Sequence, residues 1–129
     1  ANDYELKEIK GEKVVIDHAT GLMWHQYGST EDMDLSREIN WIRKLNKQEY
    51  AGYNDWRLPT VEEAASLMES DRKNADLFVD PVFDTKQRVI WTGDRYGLDN
   101  AWCVSFFTGS VQCRSVFYNR YTRPVRSTT

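Results

Sequence analysis

Gly52-Tyr53-Asn54-Asp55-Trp56-Arg57-Leu58-Pro59-Thr60 is the stretch whose reading decides the fold. Tyr53-Asn54-Asp55 is turn chemistry, because Asn and Asp side chains bond nearby backbone and tolerate left-handed geometry. Trp56-Arg57-Leu58 reads as a short extended run, and Pro59 steers Leu58 away from the helical region. Thr60-Val61-Glu62-Glu63 has the pattern of a capping box. A helix is therefore predicted from Val61 to Glu69, with Val61, Ala64, Ala65 and Met68 on its apolar face. Trp56 offers a large surface to bury. Arg57 lies between Asp55 and two glutamates, where a planar two-pronged contact can lock the junction.

Toward the N-terminus, residues 1–3 are expected to be loose. Tyr4 to Lys10 reads as an edge strand and Val14-Val15-Ile16 as a buried one. Asp17 to Gly21 is a tight turn, and Leu22-Met23-Trp24-His25 returns as the second arm of a hairpin. Asp34 is placed to cap a helix in which Leu35, Ile39, Ile42 and Leu45 recur at helical spacing, with Trp41 at the edge of the stripe. Toward the C-terminus, Arg88 to Thr92 reads as a strand and Gly93 to Asn100 as a polar loop. Ala101–Phe107 and Ser110–Phe117 read as a hairpin, Tyr118–Tyr121 as a loop, and Thr122–Arg126 as a last strand. The expected class is α+β: two helices, then a strand-rich second half, in one domain covering residues 1–129.

With 129 residues the chain is long enough for a core that needs no metal or dense disulfides. No apolar run approaches the roughly 20 residues of a membrane span. All 20 acidic residues lie at or before Asp99, while Arg114, Arg120, Arg123 and Arg126 follow it. The overall balance of −3 argues against a general nucleic-acid binder. The simplest expectation is that the late arginines pair with the acidic part of the fold; the alternative is a local cationic patch.

Asp55-Trp56-Arg57-Leu58-Pro59-Thr60 before an acidic helix start resembles a hallmark of the family named after the C-terminal domain of the Legionella collagen-like adhesin. Asp17-His18-Ala19-Thr20-Gly21-Leu22-Met23-Trp24 resembles the other, Asp-x-x-Thr-Gly-Leu-Met-Trp. Ile90-Trp91-Thr92, Ala101-Trp102 leading to Phe106 and Gly109, and Arg123-Pro124-Val125-Arg126 extend the likeness over about residues 14–127. The resemblance implies a C-type-lectin-like fold with the terminal strands brought together and an irregular binding segment. It implies a non-enzymatic adhesin or receptor-binding module, outside the cell or in the cell envelope. Its ligand would be an anionic polysaccharide, or a protein that meets a variable C-terminal loop surface. An oligomer is compatible with such a module.

Cys103 and Cys113 are the only cysteines. A three-residue loop Phe107-Thr108-Gly109, with Gly109 left-handed, sets Cys103 opposite Cys113. Opposed Cα atoms lie ~4.5–5.5 Å apart, within disulfide range. Two reduced thiols in a packed hairpin are the alternative, and a shift of the turn by one residue breaks the register. Formylglycine-generating enzymes, a related fold class, hold copper between a cysteine pair near the C-terminus. A cysteine-pair oxidase is thus the enzymatic alternative, although their active-site segment has no match here.

His18 and His25 are read as ordinary surface or core residues, since zinc needs three or four converging ligands. For calcium, Glu31-Asp32-Met33-Asp34 and the set Asp94, Asp99 and Asn100 are candidates, but neither forms a known calcium loop, and no cofactor is expected. Recognition surfaces combine aromatic area, planar charge and adaptable hydrogen bonds. That composition selects Arg95, Tyr96 and Asn100 around one loop. It selects Arg114, Tyr118, Asn119, Arg120 and Tyr121 around another. Trp91 and Trp102 are expected in the core.

Overall fold

The computed structural model describes all residues 1–129. Seven strands and two helices follow in order: β1 (Tyr4–Ile9), β2 (Glu12–Asp17), β3 (Leu22–His25), α1 (Leu35–Lys47), α2 (Val61–Ala65), β4 (Val89–Tyr96), β5 (Asn100–Ser105), β6 (Ser110–Ser115) and β7 (Val125–Ser127). The strands form two antiparallel sheets, β1-β2-β3-β7 and β4-β5-β6. The class is α+β, as expected. The first and last strands share a sheet as its opposite edges, with the β2–β3 hairpin between them. No helix is long and apolar enough to cross a membrane.

Alternation along β2 and β3 buries both faces of the larger sheet. Val14 and Met23 point to Ile42, Leu45 and Trp56, whereas Val15, Trp24 and Val125 join Leu67, Phe83, Val104 and Phe106 on the other side. Helix α1 spans both sheets. Its C-terminal half covers the larger sheet, and Leu35, in its first turn, packs on Trp91, Ala101 and Cys103 of the smaller one. Asp34 caps α1 by accepting the Arg37 N–H at 3.0 Å.

The junction around Trp56 works as its chemistry foretold, with one exchange of partners. Trp56 is buried, and the Asn46 side chain accepts its N–H and donates to its carbonyl, both at 2.8 Å. Arg57 exchanges backbone bonds with Val125. Its guanidinium meets Glu63, but Asp55 turns to Arg126. The Pro59 carbonyl accepts the Gly93 N–H. Thr60 and Glu63 complete the capping box, yet α2 ends at Ala65, short of the predicted Glu69. One short segment thus ties α1, α2, β4 and β7 together.

The other hallmark is equally structural. The Asp17 carboxylate, fully buried, accepts from the Asn2 side chain, the Asp3 and Ala19 N–H groups and the Thr20 hydroxyl. Residues 2 and 3 are therefore tied down rather than loose. Gly21, at φ +71°, closes the turn.

The largest departures from the expected strands are two boundaries and one register. β4 runs through Gly93 to Tyr96, with a bulge between Trp91 and Arg95, so the loop shrinks to Gly97–Asp99. The last strand starts at Val125 rather than Thr122. In the β5–β6 hairpin Ser105 pairs with Ser110, and Cys103 faces Gln112 while Cys113 faces Trp102. The cause is Phe106. Its side chain is buried in the main core, its N–H bonds the Arg88 carbonyl, and its carbonyl accepts from Phe78, each at 2.8 Å. Phe106 thus leaves the ladder and lengthens the loop by one residue. The two cysteines fall on opposite faces of the sheet and both are free thiols.

Candidate functional site

Direct cross-strand partners share a face, and Arg95, Ala101 and Arg114 form one such row. Ala101 and Cys103 are fully buried on this face. Arg114 donates to the Cys113 carbonyl at 2.9 Å. After β6 the chain is stitched to the start of α1. The Leu35 N–H bonds the Val116 carbonyl at 3.0 Å, and Met33 and Arg120 exchange backbone bonds of 2.9 and 3.0 Å. This stitching holds residues 116–120 beside the Arg95–Arg114 face.

Arg120 places its guanidinium 5.3 Å from the centre of the Tyr118 ring and donates to the Asn119 carbonyl at 2.8 Å. Its Nε is buried without a partner. Burial pushes the Cys103 thiol up, and the nearby Arg120 and Arg114 guanidiniums oppose that shift. Both arginines therefore flank one buried thiol. Neither forms an ion pair, and nor do Arg95 and Arg43. Of the four arginines after Asp99, only Arg126 pairs with an acid, Asp55. The expected general pairing of that tail is thus corrected: an ion pair forms for one residue, and two half-buried arginines have no acid partner. Arg123 is buried and is held by the Gln26 and Asp84 carbonyls and by Gln87.

The residues read as ligand-binding divide by face. Arg95, Arg114, Tyr118, Asn119 and Arg120 gather on one side. Tyr96 lies on the opposite face, exposed, with its ring edge-on to Trp102 at 6.1 Å. Asn100 pairs with Tyr96 and Ser115 within the sheet. Tyr121 is half-buried and acts as a staple: its carbonyl accepts the Trp91 N–H and its N–H bonds the Val89 carbonyl. Trp91 is in the core as expected, but Trp102 is only partly covered.

A groove of about 400 Å³ lies between α1, the β4–β5 turn and the chain after β6. Sequence reading selected Arg95 for binding but did not join it to Ile39, Arg43, Leu98 and Val116, which line the same groove. The legible signal was Leu98, a large aliphatic residue inside an otherwise polar turn.

Two of the calcium candidates serve local structure. Asp34 caps α1, Asp94 accepts the Val61 N–H at 2.7 Å, and no three acidic, His or Cys side chains converge. His18 is exposed beside Glu5 at 2.7 Å. His25 is buried among Tyr50, Trp41 and Trp56, and burial lowers its pKa to about 3. Its Nδ1 accepts the Gly28 N–H at 2.9 Å, which requires the neutral ring. On α1, Glu38 is fully buried and accepts the Ser29 hydroxyl at 3.2 Å.

These features define an α+β module whose two sequence hallmarks build its scaffold. The chain belongs to the Lcl C-terminal domain family, whose family model matches residues 13–126. No curated protein matches the sequence.

Proposed function

We propose that this chain is a non-enzymatic ligand-binding module of adhesin or receptor-binding type, displayed by a bacterial or phage surface protein on a C-type-lectin-like scaffold. The ligand is an anionic polysaccharide, and the Arg114–Arg120 face receives it. One observation carries this reading. In a chain of net charge −3, Arg114 and Arg120, both near the Cys103 thiol, lack any carboxylate partner. Most other arginines are either paired or buried. Unpaired guanidiniums, one of them with an aromatic ring against it, suit sulfate or carboxylate groups spaced along a sugar chain. Tyr118 and Asn119 add a ring face and a polar side chain beside them. Family membership supports the same class of module. The cysteine-pair oxidase reading is disfavoured by the thiols, which lie on opposite faces with Cys103 sealed inside.

The test is a glycan-array screen at low and high salt, on the wild type and on an Arg114→Ala/Arg120→Ala double variant. The expected result is a hit on sulfated glycans that weakens with salt and disappears in the double variant. Binding that is insensitive to salt and to both substitutions would remove this reading.

A further inference from the structure

Leu98 and Phe117 have the highest exposures of any large apolar side chains in the molecule, 91% and 73%. They come from different segments and line the same groove, the one beside α1. Half-buried Ile39 and Val116 extend its apolar surface, and both pack on the cluster around Leu35. Isolated exposed apolar residues are ordinary, but a concave surface that joins several marks a place where another surface sits.

The groove is preformed. The Val116 carbonyl accepts the Leu35 N–H at 3.0 Å, and the Val116 N–H bonds the Asp99 carbonyl at 2.8 Å. Helix, turn and return chain are thus fixed to one another by backbone bonds.

Charge selects the occupant. Arg43 and Arg95 line the groove and neither has a carboxylate partner. Arg43 makes only a 3.0 Å bond to the Asn40 side chain. The Asp34 carboxylate is engaged by the helix N-terminus and by Arg37. Asp99 is then the one other acid against two guanidiniums, and the groove favours negative charge.

We infer that this groove docks a protein segment presenting one large apolar side chain next to carboxylates. The apolar side chain enters between Leu98 and Phe117, and the carboxylates meet Arg43 and Arg95. A sugar ring fits less well, because the groove's apolar wall of Leu98, Phe117, Ile39 and Val116 gives the hydroxyls on that side no partner. The groove adjoins the Arg114–Arg120 face through Arg95 and residues 116–117, but neither Arg114 nor Arg120 lines it, and the inference does not rest on the polysaccharide reading.

The experiment titrates the isotope-labelled full chain with three capped peptides, Gly-Glu-Phe-Glu-Gly, Gly-Glu-Ala-Glu-Gly and Gly-Lys-Phe-Lys-Gly, and follows amide chemical shifts. The first peptide is expected to give saturable shifts at Ile39, Leu98 and Val116, with a Kd of about 1 mM. The other two should bind about tenfold more weakly or not at all. Leu98→Ser, at a position too exposed to matter for folding, should weaken the first peptide about tenfold, and Arg95→Ala about fivefold. Because neither Arg114 nor Arg120 lines the groove, the Arg114→Ala/Arg120→Ala variant should weaken it less than Arg95→Ala does. Absence of saturable groove shifts, an equal response to all three peptides, or indifference to Leu98→Ser would overturn the proposal. So would shifts that depend on protein concentration alone, which place a second copy in the groove, or stronger groove shifts with a sulfated oligosaccharide.

Discussion

The Arg57 guanidinium grips the Glu63 carboxylate through two bonds, of 2.7 and 2.9 Å, across the entry to α2. Glu63 also accepts the Thr60 N–H at 2.8 Å, so one carboxylate closes the capping box and the ion pair together. Both contacts hold its pKa below the usual carboxylate range, with the Arg57 bond the larger cause.

Glu63→Ala is expected to cost about 1–2 kcal/mol in urea unfolding, most of it from the cap. The Arg57 side chain is 42% exposed, so solvent screens the ionic part. Glu63→Gln, which can keep the bond to the Thr60 N–H, should cost less. An unchanged unfolding midpoint for Glu63→Ala would show that the junction is held by Trp56 burial alone.

Glu38 introduces a pH dependence. Burial raises its pKa from 4.5 to about 8, with Asp32 and Asp34 adding to the rise and the Ser29 hydroxyl opposing it. The folded chain therefore keeps a proton that the unfolded chain releases at lower pH. Glu38's contribution to stability is full below pH 4.5 and is lost as the pH climbs through about 8. Denaturation midpoints across that window should fall for the wild type and fall less for Glu38→Gln. Parallel curves for the two proteins would mean that Glu38 titrates normally.

The two thiols should behave differently. Cys113, half-buried, is expected to alkylate in the native protein, and Cys103, fully buried with its pKa raised, only after unfolding. Under mild oxidation the mass of the monomer should show no internal disulfide. A loss of two hydrogens would mean that β6 can slip by one residue to the register in which the cysteines oppose.

That register marks the limit of what residue order encodes. Asp34 and the Leu35–Leu45 stripe specified α1, and the junction around Trp56 specified α2 and its cap, because those signals are local. The hairpin loop was ambiguous by one residue. Gly109, at φ +72°, suits either loop length, and the choice was made by Phe106 entering a core assembled from distant segments. Glu38 was equally opaque, since its burial depends on Ser29 and the chain near Thr122. The arginine face was half legible. Its residues stood out by composition, but which late arginines stay unpaired is decided by contacts as remote in sequence as Arg126 with Asp55, 71 residues apart, and Arg123 with Gln26, 97 residues apart. The groove required three separate segments to meet.

The larger sheet also determines how the module carries mechanical load. The Asp3 carbonyl accepts the His18 N–H and the Thr128 N–H bonds the Gly21 carbonyl, so both flanks of the domain are tied to the β2–β3 turn. Residues 3 and 128 therefore leave from one end of the sheet, beside its two opposite edge strands. Tension applied between them pulls across the strands and loads the ladder bonds in sequence, as in a zipper, instead of shearing them together. β7, with three ladder pairs, should peel away before β1, which has six.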